Sequence, residues 1–443
     1  MSLKNHIQRH AARALSSRTL KRVKRTIWQA RQALMAGQPQ VDVWLRADDP
    51  YSYLLAQVLP QLQQDYAVNW RFRVITTLQG DMYPEPEMWQ HNAVLDAGLL
   101  ASLYQLQAPE IDQPSIAQVE VATGRLLQLQ QTESQIPDWQ AVIAVFQDLW
   151  SGTAQEAQPL TSEQQALLAR NEAQLLNDGH YLSATLKFQG EWYWGLDRLD
   201  HFEQRLNDLK LNTTEPKVYF DKTYADFCRA FEPSEINPEH QSQPLTLYFS
   251  ARSPYSYLGL ERSVKLAQHY GIPFELKPVL PMIMRGLTVP DSKKFYIFGD
   301  TKREADKFGL DYGFVADPLG AGVQRCYALF DYARSQAKEV DFMLSFARAV
   351  NAEGIMAETD SGMKKIVERA GLNWTKAAAI LAQDDWQTAW LDWAEANRLE
   401  MIEQGQWGVP SIRYGDLTVW GQDRMEFIEQ AIRSHILRLD NCE

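Results

Sequence analysis

The chain has 443 residues, 45% apolar and 23% charged, which suffices for two or three buried cores at an ordinary globular composition. A net charge of −12 argues against nucleic acid as the main partner, and no apolar run approaches the roughly 18 residues of a transmembrane helix. The three cysteines (Cys228, Cys326, Cys442) form no C-x-x-C pair and the eight histidines are scattered, so neither a dithiol motif nor a metal site is expected, and a reducing, cytoplasmic setting fits.

Residues 1–41 carry nine Lys/Arg and no acid, leaving −21 on the rest. The simplest expectation for 1–40 is a solvated helix that packs Leu15, Leu20, Val23, Ile27 and Leu34 on its own body. The alternatives are weak contact with a membrane surface through an amphipathic helix, or an organelle-type leader. The apolar stretch of a secretory signal is missing.

Further along, Val41–Leu45 reads as a strand, Pro50–Leu62 as a helix and Trp70–Ile75 as a strand. Helical segments fill 87–180, strands are expected at Thr185–Phe188 and Trp192–Trp194, and a helix runs from Asp197 to Leu206. Residues 208–243, with Pro233, Pro238 and a polar stretch, form a connector whose Tyr219, Phe220, Phe227 and Phe231 pack on a domain.

The plan then repeats. Leu245–Phe249 is a strand, and Ser253-Pro254 opens a helix, with Ser as N-cap, that Gly271 stops. Phe274–Leu280 is a strand. Helices are expected at Asp300–Phe308, Val323–Ala337, Asp341–Asn351, Ser361–Ala370 and Lys376–Asn397, with Trp386, Trp390 and Trp393 as core or pocket wall. Strands at Ser411–Tyr414 and Leu417–Val419 follow, and a last helix runs from Gln422-Asp423 to about Leu437.

Two motifs fix the repeat. Pro-Tyr-Ser-Tyr-Leu occurs at 50–54 and 254–258, and Trp-Gly-x-Asp-Arg at 194–198 and 420–424. Their order is the same in both halves, which predicts two tandem domains, 41–207 and 244–443. The offset grows from 204 to 226, so the first copy is 22 residues shorter. Trp150-Ser-Gly152 aligns with Ala352-Glu-Gly354 at offset 202, which puts the loss after that point and removes much of a helix.

Strand, helix, strand, helical insert, Gly-Val-Pro, hairpin, helix is the order of a thioredoxin fold with a helical insertion, an α/β architecture. Where such folds place a reactive cysteine pair, this chain has Ser253-Pro254-Tyr255-Ser256. Together with Gly408-Val-Pro-Ser-Ile412 and Trp420-Gly-Gln-Asp-Arg424, this segment resembles the 2-hydroxychromene-2-carboxylate isomerase and kappa-class glutathione transferase family of the DsbA-like thioredoxin superfamily. The resemblance covers about 244–437 well and 41–207 weakly.

The resemblance implies glutathione as cofactor, with Ser253 holding its sulfur. A hydroxyl donor and the positive end of a helix both favour thiolate over thiol. The plainer reading makes Ser253 only an N-cap. Val409-Pro410 resembles the family's cis-proline corner, whose backbone pairs with the cysteinyl backbone, although the sequence leaves the isomer open. The backbone N–H groups at Gln422-Asp423 are implied to meet the γ-glutamyl carboxylate and the Asp423 carboxylate its ammonium, and Lys293 or Lys294, in a loop after Pro290 where the local alignment favours Lys293, the glycyl carboxylate. The loop Arg285–Val289 lacks the family's Asn.

The first copy departs where it matters: Asp49 stands in place of the serine, and Ala184 in place of Pro410. A carboxylate there repels a thiolate, so this copy is expected not to bind glutathione. It is expected to stand in for the second subunit of a family dimer, as an intramolecular pseudo-dimer. The leading expectation is a glutathione-dependent isomerase or transferase acting on a small apolar or aromatic electrophile. The rivals are a non-catalytic thioredoxin-like scaffold and, disfavoured by the missing C-x-x-C, a disulfide oxidoreductase.

Overall fold

A computed structural model describes residues 3–34, 37–76, 85–130, 136–153, 159–222, 227–232, 235–240 and 242–437. Cys442 and Pro233 lie outside the described residues. The chain divides into two compact units. One holds Val23–Ala225 with Pro290–Lys293, and the other Met1–Arg22, Asp226–Val289 and Lys294–Glu443. The basic N-terminal segment is therefore shared out: helix α1 (Leu3–Leu15) goes with the second unit, and α2 (Arg18–Leu34) is divided after Arg22.

In the first unit, β1 (Gln40–Leu45) pairs in parallel with β2 (Asn69–Val74) and antiparallel with β3 (Thr185–Phe188), and β4 (Glu191–Trp194) closes the edge. Val41, Val43, Trp44 and Leu45 are all buried, as expected of a central strand covered on both faces. Helix α3 (Pro50–Asp65) links β1 to β2. Four helices follow: α4 (Pro86–Tyr104), α5 (Ile116–Leu129), α6 (Trp139–Trp150) and α7 (Ser162–Asn177). A 3₁₀ turn at Leu196–Arg198 then leads into α8 (Leu199–Asp208).

The second unit builds the same sheet. Here β5 (Leu245–Phe249) pairs in parallel with β6 (Phe274–Pro278) and antiparallel with β7 (Ser411–Tyr414), which pairs with β8 (Leu417–Trp420). The registers coincide at the sequence offsets. Val41 faces Trp70 as Leu245 faces Phe274, and Leu186 faces Tyr193 as Ile412 faces Val419. Helix α9 (Pro254–Tyr270) starts at Ser253 and Pro254 and ends on Gly271 at φ 63°, a left-handed position suited to glycine.

Individual hydrogen bonds repeat as well. Ser52 Oγ accepts from Arg46 N at 3.1 Å, and Ser256 Oγ from Ser250 N at 3.3 Å. Tyr51 donates to Asp96 and Tyr255 to Asp300, both at 2.7 Å. Gly195 N donates to Ala184 O at 2.7 Å, and Gly421 N to Pro410 O at 2.8 Å.

The insert of the second unit comprises α10 (Asp291–Phe308, which joins this unit from Lys294 on), α11 (Ala321–Ser335), α12 (Glu339–Asn351), α13 (Asp360–Arg369), α14 (Trp374–Leu381) and α15 (Leu391–Glu403); α16 (Met425–Ile436) ends the unit. Three expectations need correction. Helix α10 starts nine residues before Asp300, because Pro290 and Asp291 suit a helix start. The helix expected over Lys376–Asn397 is two, since Asp385 O accepts from Thr388 N and Ala389 N and turns the chain. Finally, among the described residues one helix lies between α6 and β3 but three lie between α12 and β7, so the shortening corresponds to two short helices rather than part of one.

Trp390 is buried and Trp393 half-buried, with ring centroids 5.3 and 5.5 Å from that of Tyr327. Trp386 is half-exposed. The apolar residues of the N-terminal helices do not pack as expected: Leu15, Val23, Ile27 and Leu34 are exposed and Leu20 is half-buried. Among the described residues no helix is long and apolar enough to cross a membrane.

Candidate functional site

In the second unit the chain order brings three motifs to one helix end. Ser253, half-buried, caps α9: its φ and ψ are extended and its Oγ accepts from Ser256 N at 3.3 Å. Pro254 at the first helical position costs no hydrogen bond. The first-turn amides and the helix dipole thus converge at the Ser253 hydroxyl, a setting that favours an anion.

The Val409-Pro410 peptide is cis. Pro410 packs on the second turn of α9. A Cβ built on Gly259 would lie 3.1 Å from Pro410 Cβ and 3.8 Å from Gln422 Cβ, so this glycine lets both segments reach the helix. Val409, half-buried, sits between Gly408 and this seated proline. Trp407 and Trp420 flank the corner with ring centroids 5.0 Å apart.

Gln422 is fully buried and its amide is engaged internally. Nε2 donates to Glu304 Oε2 at 3.1 Å and to Asp423 Oδ1, while Oε1 and the backbone carbonyl accept from Arg262 Nη1. Arg262 is itself buried, its guanidinium 4.0 Å from the Phe308 ring centroid. The side chain of Gln422 therefore anchors the 3₁₀ turn to α9. Asp423 is half-buried beside it.

Lys293 lies in the first turn of α10, which corrects the loop expected there. Burial pushes its ammonium down to about 8, and it groups with the first unit. Among the described residues no group of three His, Cys, Asp or Glu could hold a metal ion.

The first unit fills the corresponding place with its own side chains. Asp49 caps α3 and is buried. Its Oδ1 accepts from Tyr51 N at 3.2 Å, and its Oδ2 accepts from Ser52 Oγ and Ser183 Oγ, each at 2.7 Å. Burial pushes this carboxyl up, against the opposing pull of Arg46 and the two hydroxyls. Ser183 aligns with Val409 and Ala184 with Pro410, so the carboxylate ties the helix end to the corner. Sequence reasoning missed Ser183, Gly259 and Arg262. Only the first offered a signal, by its alignment with Val409.

Residues 245–433 match the model of the DSBA-like thioredoxin domain. Residues 245–433 belong to the DsbA-like thioredoxin family. The DsbA-like domain is also similar to isomerases. It is 26% identical over 193 residues to a 2-hydroxychromene-2-carboxylate isomerase of Pseudomonas putida, covering 42% of this chain and 92% of that protein. With the enzyme of the same name from Sphingobium xenophagum the identity is 24% over 196 residues, 42% of this chain and 97% of the relative. A solved structure of a 2-hydroxychromene-2-carboxylate isomerase aligns at 26% identity, covering 43% of this chain and 95% of its own, with a TM-score of 0.38.

Proposed function

We propose that the DsbA-like domain is a glutathione-dependent isomerase or transferase for a small apolar or aromatic electrophile, with Ser253 holding the thiolate. One observation carries this reading: Ser253 caps the helix on whose second turn, at Gly259, the cis Pro410 is seated. Hydroxyl and helix amides together lower the thiol pKa of a bound glutathione. The sulfur lone pair then forms a C–S bond with an electrophilic carbon, and the displaced π pair moves onto the conjugated acceptor. Rotation about the new single bond and return of that pair expel the thiolate, which completes an isomerisation. Proton uptake in place of expulsion completes a conjugation. The Trp407 and Trp420 rings supply apolar surface at the corner.

The test compares bound glutathione in wild type and Ser253→Ala. The reading requires a thiolate absorbance that drops in the variant while the fold persists.

The first unit, on this proposal, arose with the second by duplication, kept the sheet and gave up the ligand. It serves as a structural partner within the chain. A second reading, a non-catalytic scaffold, draws support from the altered first copy and from the loop Arg285–Val289, which has no Asn. It predicts no thermal shift at millimolar glutathione. Thiol–disulfide exchange is disfavoured: burial pushes the Cys228 thiol up to about 11 and raises that of the buried Cys326 well above its ordinary value.

A further inference from the structure

Helix α2 packs by the face that its composition would turn to water. Arg25 makes a two-pronged ion pair with Glu191 at 2.6 and 2.8 Å. The Trp28 ring closes over Gly190, where a Cβ would lie 2.8 Å from the indole nitrogen. Lys21, Arg25 and Gln32 are half-buried on the same side. At 100° per residue, Val23 and Ile27 each lie about 200° from Arg25, so they point away from that contact, and Leu34 shares their face. The exposures agree: Val23 49%, Ile27 49% and Leu34 87%.

An aliphatic ridge left in water by a helix that satisfies its polar face against its own domain needs an occupant. The charge says which. Lys24 and Arg31 line one edge of the ridge, and Arg22, next to Val23 in the chain, is exposed. No acid occurs before Asp42. We propose that α2 is an interfacial anchor that lays Val23, Ile27 and Leu34 into an anionic lipid bilayer, with the flanking Lys and Arg on the headgroups. The acidic remainder of the chain does not prevent this, because its charge is screened within about 8 Å at physiological salt. A bilayer fits better than an acidic nucleic acid backbone, which would use the cations and leave the ridge exposed.

The test is co-sedimentation of the full chain with vesicles. Phosphatidylcholine vesicles containing phosphatidylserine are compared with phosphatidylcholine alone, at low and physiological salt. Wild type is expected to sediment with the anionic vesicles only, less so as salt rises. The triple substitution Val23→Ser, Ile27→Ser, Leu34→Ser keeps every charge and should lower partitioning about tenfold or more, with circular dichroism unchanged because the ridge is exposed. The pair Lys24→Gln, Arg31→Gln should weaken binding and flatten its salt dependence. Absence of wild-type binding, equal binding to neutral vesicles, or undiminished binding of the triple variant each overturns the proposal. So does retention on RNA that the triple substitution leaves unchanged.

Discussion

Gly259 and Pro410 meet with no room for a side chain between them: a Cβ on the glycine would stand 3.1 Å from Pro410 Cβ and 3.2 Å from Cγ. The aligned pair in the first unit is Leu55 and Ala184, both buried. Bulk sits on the helix in one unit and on the corner in the other.

Gly259→Leu should therefore cost about 1–3 kcal/mol by overpacking, because Pro410 and Gln422 must both retreat, whereas Gly259→Ala asks Pro410 to shift by only a few tenths of an ångström and gains about 1 kcal/mol of helix propensity. Glutathione affinity should fall with stability. Chemical denaturation and ligand titration check this; unchanged affinity in a destabilised Gly259→Leu variant would detach the corner from the site.

At Asp49, Ala removes the acceptor of Tyr51 N, Ser52 Oγ and Ser183 Oγ together, which should destabilise the first unit by about 2 kcal/mol. Asn keeps an acceptor and loses a costly buried charge, so Asp49→Asn should stay within about 1 kcal/mol of wild type. Glutathione affinity should be unchanged in both, since the proposed ligand site lies in the other unit.

Arg262 ties Gln422 to α9. Arg262→Met leaves Gln422 Oε1 and its carbonyl without their buried donor, for a cost of about 3 kcal/mol. If the turn at Gln422–Arg424 orients the ligand, glutathione affinity drops too. Calorimetric titration of the folded variant tests this.

Glu203 accepts from Tyr219 N at 2.9 Å and Phe220 N at 3.0 Å, holding the connector to α8. Burial nevertheless pushes its carboxyl up from 4.5 to about 7. Because the folded value is the higher one, the native state binds the extra proton. The associated stability is fully present below about 4.5 and is lost as pH rises through about 7. Glu203→Gln should remove this slope, a difference of up to about 3 kcal/mol between pH 5 and pH 8. Thermal melts of the two proteins across that range measure it.

The elements near the motifs were legible because local chemistry decided them. Ser253, Pro254 and Gly271 delimit α9 by capping alone, and the apolar runs at Thr185–Phe188 and Leu245–Phe249 are strands to the residue. The register shared by the two sheets follows from the spacing of the two repeated motifs. The helical insert was less legible: the break between α14 and α15 depends on a turn at Asp385 that no glycine or proline marks. The corner was legible by resemblance, but its seat was not. Gly259 reads as an ordinary mid-helix glycine until Pro410 and Gln422 arrive from more than 150 residues away. The inverted packing of α2 was hidden for a related reason. An amphipathic pattern tells which residues share a face, and only the partner surface, here Glu191 and Gly190, tells which face is turned inward.

The most direct measurement is the ultraviolet difference spectrum of glutathione bound to wild type and to Ser253→Ala, taken near neutral pH with affinity and helix content recorded alongside. The predicted result is a thiolate band in wild type that is strongly reduced in Ser253→Ala, with the helix weakened by no more than the roughly 1 kcal/mol that a lost N-cap costs. An equal thiolate band in both proteins, or no bound glutathione in wild type at millimolar ligand, would contradict the assignment of Ser253.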